Sequence, residues 1–424
     1  MQLFSFLKKE FVKNVLTLVK GSVASQVILY LSILVLTRIF STELFGIYML
    51  FSSALLVLKP ISTLQYEVSL VLPKKDQDAF HLGVFSFVVL LVYTLLILFG
   101  ILFLKDTLSD FFGLDKLSFF LYLLPISVLF FGSISIFEFW NNRKKTFGNI
   151  SNGLILKAGS MSAIQIGSGL SPFNYLGLIP GLIIGQFLHL LFLLGKSIKE
   201  IREQLKGFRW NQSLQLAKKY KDIPLFNTVI SITNSLSNEL PVILISNYFG
   251  LGAAGIYGLA AKFMKAPVGA FQQSVYQVFY NRASNVYNQD GDLHSLVLKT
   301  TKNLLILSMG LFLPLFLISF ALENLFGSNW KDVGLYARIL IPWLLTGFLS
   351  NPINSLIVVL NRQKTMLVLD VFLLISRFLA LYFGYHYFNS IIYSLGFFSG
   401  VGFVFNVIFY VYLLSISKVN SKSY

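Results

Sequence analysis

Twelve long apolar runs decide what this chain can become. They cover residues 15–40, 46–72, 82–104, 117–139, 150–170, 175–195, 223–249, 255–281, 299–321, 336–360, 366–387 and 390–416. About twenty apolar residues in helical form cross the roughly 30 Å hydrocarbon core of a bilayer. In that medium each backbone N–H and C=O must be satisfied internally, which leaves helices or a closed barrel. Runs of this length, without period-two alternation, specify helices. Only 12% of the 424 residues are charged, about half the share usual in soluble domains. The expected fold is therefore an all-α polytopic membrane protein. There is no cysteine, which excludes disulfides, thiolate nucleophiles and cysteine-ligated metals. The first run is too long for the core of a signal peptide, and no A-x-A site follows it, so it reads as a retained span.

The net charge of +16 is a topology signal. Counted over alternate connections, lysine and arginine number twenty-one on one side. They include Lys8, Lys9, Lys13, Lys74, Lys75, Arg143 to Lys145, eight between Lys196 and Lys221, Arg282, Arg362, Lys364, Lys418 and Lys422. The other side has three: Lys105, Lys116 and Lys331. By the positive-inside rule both termini are cytoplasmic. A basic surface on a soluble domain, which nucleic acid would require, is missing. The outer loops at 41–45, 105–116, 171–174, 250–254, 322–335 and 388–389 are too short to form an extracellular domain.

The two halves repeat. A gapless shift of 209 residues sets Phe40 on Phe249 and Gly46-Ile47-Tyr48 on Gly255-Ile256-Tyr257. Each half has six spans, an even number, so both enter from the same side and form parallel repeats. The expected organisation is an N-terminal six-helix lobe at 1–195, a basic cytoplasmic linker at 196–222 and a C-terminal six-helix lobe at 223–424. Within the linker, Ile198, Ile201, Leu205 and Phe208 recur at helical spacing among basic residues. That pattern suits an interfacial helix on an anionic leaflet, and a plain positive-inside linker explains it nearly as well.

Charges inside the runs are the informative minority. The eighth span places Gly255, Gly258, Lys262, Lys265, Gly269, Gln272 and Tyr276 at alternating intervals of three and four, which puts them on one helical face. A lysine at bilayer depth costs about 3 kcal/mol or more unless it faces protein or water. Two lysines on a glycine-lined face fit the wall of a wet cavity; snorkelling or a structural ion pair is the blander account. The second span carries Lys59 beside Pro60 and, further in, Glu67. The fifth carries Lys157, the seventh Glu239, and the eleventh Asp370 and Arg377, seven residues apart on one face. In the seventh span, Thr228, Ser231, Ser235, Glu239 and Ser246 share a polar face interrupted by Pro224 and Pro241. Taken as deep positions, Lys59, Lys157, Lys262, Lys265 and Arg377 stand against one acid, Glu239. A cavity they share attracts anions.

Other matches carry little. Gly250-Leu-Gly-Ala-Ala-Gly255 fits G-x-G-x-x-G, but it joins two spans, and no ribose-binding acid follows. The four histidines are scattered, and no metal site is expected. Asn149 and Asn211 head glycosylation sequons on the cytoplasmic side.

Three stretches carry a family resemblance: LTRIFSTELFGIYMLFSSAL (36–55) leading into YEVSLVLPKKDQDA (66–79), GIYGLAAKFMKAPVGAFQQSVYQVFYNRAS (255–284), and FGSNWKDVGLYARILIPWLLTGFLSNPINSLIVVLNRQK (326–364). With them the chain resembles the polysaccharide transporters of the multidrug/oligosaccharidyl-lipid/polysaccharide exporter superfamily, which include the Wzx-type O-antigen flippases. The resemblance implies a two-lobed bundle around a cleft lined mainly by spans 1, 2, 7 and 8. It implies a non-enzymatic flippase, in a bacterial inner membrane, that moves undecaprenyl-pyrophosphate-linked oligosaccharide from inner to outer leaflet by alternating access. Lys59, Lys262, Lys265, Gln272 and Arg377 are the candidate substrate-binding residues. No cofactor is implied, but H⁺ or Na⁺ coupling is proposed for relatives, with Glu239 and Glu67 the candidates here. Partners are the lipid-linked substrate, membrane lipids and other polysaccharide-assembly proteins. The competing reading is a cation- or drug-coupled small-molecule exporter of the same superfamily. It calls for an acidic cleft, against which the deep lysines argue.

Overall fold

A computed structural model describes residues 2–112, 115–171, 177–289, 291–360 and 362–418, with side chains set aside at 2–16, 112, 115–117, 222–223, 226, 270 and 274. The basic residues at Lys8, Lys9, Lys13 and Lys422, and most of the expected loop at 171–174, thus lie outside the described side chains. Among the described residues there is no strand. Two compact units are present, Met1–Ser235 and Leu236–Tyr424.

The first unit holds α1 (Gln2–Ile39), α2 (Thr42–Ser62), α3 (Asp76–Phe112), α4 (Leu124–Arg143), α5 (Phe147–Gly169), α6 (Leu178–Leu205), a short α7 (Trp210–Lys219) and the start of α8 (Asp222–Phe249). The second holds the rest of α8, α9 (Leu251–Asn288), α10 (Leu293–Ser319), α11 (Leu322–Phe326), α12 (Val333–Ser350), α13 (Ser355–Val359), α14 (Gln363–Phe388) and α15 (Ile391–Ser417). Among the described residues, ten helical segments are long and apolar enough to cross a membrane. The expected fifth and eighth spans, α5 and α9, are helices of 23 and 38 residues whose apolar character is diluted by Asn149, Asn152, Lys157 and Gln165 in one and Lys262, Lys265, Gln272 and Gln273 in the other.

Local chemistry sets the breaks between helices. Ser41 caps α2 by accepting from the Leu44 amide at 3.3 Å, and Asp292 caps α10 by accepting from Ser295 at 3.1 Å. Gly250, between α8 and α9, has φ +88°, a region open to glycine at little cost. The first glycine of the apparent dinucleotide motif is thus a helix–helix turn. Asn389 ends α14 in the left-handed conformation, with its amide bonded to the Tyr385 carbonyl.

Inside the first unit, α6 brings Gly181 and Gly185 against Gln165 and Met161 of α5, where a Cβ would collide. Small residues at such positions let membrane helices approach closely. The apolar residues facing outward, among them Leu96, Phe103 and Met309, are largely exposed, as suits surfaces in contact with lipid chains.

Three sequence expectations change shape. The second span, expected over 46–72, is helical only to Ser62. Leu64 and Gln65 have positive φ, and a 3₁₀ segment follows from Tyr66 to Val71. In the linker, α6 runs on to Leu205, and the separate amphipathic helix is α7. It rests on α3, with Ser213 donating to the His81 carbonyl at 3.1 Å and Gln212 to Asp78 at 2.8 Å. The expected outer loop at 322–335 is folded inward. Its Leu322, Phe326 and Trp330 are fully buried, and Phe326 meets Phe263 of α9 edge-on. The polar residues around these three anchors gave the stretch the look of a loop.

Candidate functional site

In the first unit, α2 carries Lys59 next to Pro60 near its end. The Lys59 ammonium lies 4.6 Å from the centre of the Phe131 ring on α4, and Lys157 of α5 lies 5.6 Å from the same ring. A cation near an aromatic face is held by the ring quadrupole, about 1–2 kcal/mol where water is excluded. Glu138, two turns further along α4, has both lysines as electrostatic neighbours. Its Oε1 is 4.0 Å from Nε2 of His189 on α6. His189 is 1% exposed, and its ring nitrogens find no hydrogen-bond partner among the described residues. Gly153 of α5 leaves the room that this ring occupies.

The second unit builds the same arrangement from the corresponding helices. Lys265 of α9 lies 5.1 Å from the Trp343 ring on α12, and the Arg377 guanidinium of α14 lies 4.6 Å from it. Phe398 of α15 covers Arg377 at 4.8 Å, and Gly402 makes space for the indole. Arg377 is 3% exposed. Its Nη1 donates to the Ser237 hydroxyl at 2.8 Å and to the Ser237 carbonyl at 3.4 Å. Lys265 reaches the Asn238 carbonyl at 3.5 Å. Glu239 and Arg377 are the electrostatic neighbours of Lys265, and the buried Tyr257 lies near both.

Set against the internal repeat, the parallel is close. A lysine from the second helix of each half and a cation from the fifth meet on an aromatic ring of the fourth. Lys59, Lys157 and Phe131 play these parts in one half; Lys265, Arg377 and Trp343 play them in the other.

The structure thus draws Lys59, Lys265, Arg377 and Glu239 into two clusters. Lys262 stands one turn before Lys265 on α9, half-buried, and Gln272 lies beyond Pro267 on the same helix, also half-buried. Glu67 is elsewhere. It sits in the 3₁₀ segment, 4% exposed, accepting from the Thr63 hydroxyl through one oxygen and from Ser135 at 3.2 Å through the other. Those bonds tie the end of α2 to α4. The suggested Asp370–Arg377 pair is likewise modified: Arg377 spends its hydrogen bonds on Ser237, with Asp370 a further electrostatic neighbour.

Sequence reasoning passed over Glu138, which raises the deep acids beyond the single Glu239. It stands two residues from the polar Trp140–Lys145 stretch and reads there as an interfacial charge. The partner rings were equally hidden, since nothing marks Phe131 among 43 phenylalanines. Among the described residues no group of histidine and acidic side chains could hold a metal ion.

A two-lobed helical membrane protein with a cation pair packed on an aromatic ring in each lobe is the class that fold and sites define. Residues 35–334 match the family described as polysaccharide biosynthesis protein, and the chain belongs to it. No curated protein matches the sequence. The fold is shared with transporters of the MOP superfamily. An inward-facing multidrug resistance MATE family transporter has a TM-score of 0.68 at 12% identity, covering 93% of this chain and 96% of that one. An outward-facing structure of a MATE family transporter reaches 0.65 at 13% identity, with 97% and 96% covered. A MOP superfamily transporter from Pyrococcus furiosus, described as having a binding pocket of reverse polarity, reaches 0.59 at 13% identity over 97% and 96%.

Proposed function

We propose that the chain is a flippase for a lipid-linked oligosaccharide, an undecaprenyl-pyrophosphate carrier of a surface-polysaccharide repeat unit, working by alternating access in a bacterial inner membrane. The observation that carries this reading is the pair of cations on one ring, present in both halves. A lipid pyrophosphate bears about two negative charges and cannot enter hydrocarbon unpaired. Lysine suits transient holding, because its ammonium is a mobile point charge on a flexible stem. A ring-bound lysine can swing to a phosphate and back without being left bare in a low-dielectric site. Arg377, fixed by Ser237, supplies a stationary positive field. Outward movement of an uncompensated negative charge also gains about 2.3 kcal/mol per 100 mV of inside-negative potential.

The shared fold brings a second reading, a multidrug exporter. Glu138 and Glu239 are the features that favour it, since a cationic drug needs an acid. Each already has lysine as an electrostatic neighbour, which would compete with a cationic drug for it. The deciding measurement uses the purified protein in liposomes. Flippase activity predicts outward movement of a pyrophosphate-linked oligosaccharide and none of a lipophilic cation; the reverse pattern would establish the exporter.

Orientation is tested separately. A reporter active only outside the cytoplasm is expected to be silent after residue 206 and active after Asp110 or Ser328. A strong outside signal from residue 206 would overturn the positive-inside assignment.

A further inference from the structure

His189 of α6 is buried, and neither of its ring nitrogens has a hydrogen-bond partner among the described residues. Buried polar groups in folded proteins nearly always have one. The acceptor nearest to hand is Glu138 of α4, whose Oε1 stands 4.0 Å from Nε2 of the ring. That is about 1 Å beyond a hydrogen bond. A neutral imidazole with its hydrogen on Nε2 is a donor, so a small rotation of the acid completes the bond. The Glu138 side chain is 33% exposed and that of His189 only 1%, which makes the carboxylate the partner that moves. Gly153 of α5 abuts Nε2 and sets where the ring stands, since a Cβ at Gly153 would overlap it.

Glu138 also has Lys157 and Lys59 as electrostatic neighbours. Two kinds of partner thus compete for one carboxylate. Turned to the lysines, Glu138 cancels one of their two charges. Turned to His189, it leaves both for an arriving anion.

Packing alone needs no imidazole at this place. The shift of 209 residues that matches the halves sets His189 on Phe398. Phe398 covers Arg377 of the fifth helix in its half, as His189 neighbours Lys157 of the fifth helix in the other. A phenyl ring fills the position where the fourth helix, α12, carries no acid. The imidazole stands where the fourth helix, α4, carries Glu138.

We propose that His189 is a positioning residue for the lysine cluster of the first half: its imidazole holds the Glu138 carboxylate, and Lys59 and Lys157 stay available to the anionic group of the cargo. The proposal rests on the flippase reading and deepens it. Glu138 becomes the element that sets the strength of the cluster, and His189 the element that sets Glu138.

The test is titration of the purified full chain in detergent, at pH 8, with farnesyl pyrophosphate as a soluble polyprenyl pyrophosphate. His189→Leu is expected to weaken binding about tenfold, the scale of one hydrogen bond to a charged group. His189→Gln keeps a donor and should bind nearly as the unaltered protein does. Gly153→Ala leaves the histidine in the chain but displaces its ring, and should match His189→Leu. It carries the comparison if His189→Leu does not yield folded protein. Glu138→Gln should bind at least as tightly as the unaltered protein. In the Glu138→Gln background both His189→Leu and Gly153→Ala should be silent, because the acid they release is gone. A histidine needed only for packing would cost the same in either background. Unchanged binding by His189→Leu and Gly153→Ala would overturn the proposal, as would an equal loss with and without Glu138; either result, with the unaltered protein binding the probe, leaves the flippase reading standing. No binding of the probe by the unaltered protein would overturn that reading, and this proposal with it.

Discussion

Lys265→Ala is expected to lower surface polysaccharide at least tenfold while leaving the amount of membrane-inserted protein unchanged. The side chain is a hub of the second cluster, bearing on the Trp343 ring and the Asn238 carbonyl, with Glu239 and Arg377 as neighbours. A hydrogen bond or ion pair to a charged group of the cargo contributes about 1.5–3 kcal/mol, and tenfold is the lower edge of that range. Lys265→Arg keeps the charge and should retain part of the activity, limited by the broader guanidinium against the indole. Lys262→Ala, one turn away, should have a smaller effect in the same direction. Lys218→Ala on α7 should be silent. Polysaccharide export and protein abundance, measured together, check the series. A Lys218→Ala defect as deep as that of Lys265→Ala would remove the cluster from cargo binding.

Glu239→Gln is expected to abolish the pH dependence of transport. We propose that Glu239, an electrostatic neighbour of Lys265, holds that lysine when charged and lets it go when neutral. Cargo phosphate and Glu239 therefore compete for one cation, and proton uptake by Glu239 favours cargo binding. Linkage requires the converse: cargo bound at Lys265 makes Glu239 take up a proton more readily. The sign is fixed. A linked proton of this kind makes cargo affinity rise as pH falls, by at most about tenfold per pH unit. Lys265 and Tyr257 are electrostatic neighbours of the carboxylate, with Arg377 a neighbour of both, and the substitution leaves all three in place. The Gln variant should bind cargo at the low-pH level throughout. Flipping rates in proteoliposomes between pH 6 and 8 decide it, and a profile unchanged from that of the unaltered protein would leave Glu239 a structural role.

Hydrophobic length made the helices legible in the sequence, because bilayer thickness fixes what a span must be. The repeat was legible through Gly46-Ile47-Tyr48 and Gly255-Ile256-Tyr257, which fall at matching ends of α2 and α9. Lys59, Lys265, Arg377 and Glu239 stood out because a charge inside an apolar run has no bland background to hide in. Their partners had such a background. Phe131 and Trp343 become special only through helix packing, and packing between non-consecutive helices leaves no periodic trace. Glu67 shows the opposite error. It was conspicuous as an acid in an apolar run, yet Thr63 and Ser135 explain it locally. Trp330 and Phe326 were missed for a third reason: buried anchors in a polar stretch are too few to outweigh their neighbours in any window average.

The rings beneath Lys59, Lys157, Lys265 and Arg377 have a consequence for how long a cargo stays. A cation that already has a partner gives up that partner before it accepts another. At about 1 kcal/mol for each ring contact forgone, two cations on one ring weaken the grip on an anion by more than tenfold relative to bare charges. Weaker grip at constant encounter rate means faster departure. A carrier is limited by the slowest stage of its cycle, and an anion held too firmly would stall it at release. On the flippase reading, Phe131 and Trp343 would thus act as timers, shortening the dwell of whatever the cations hold.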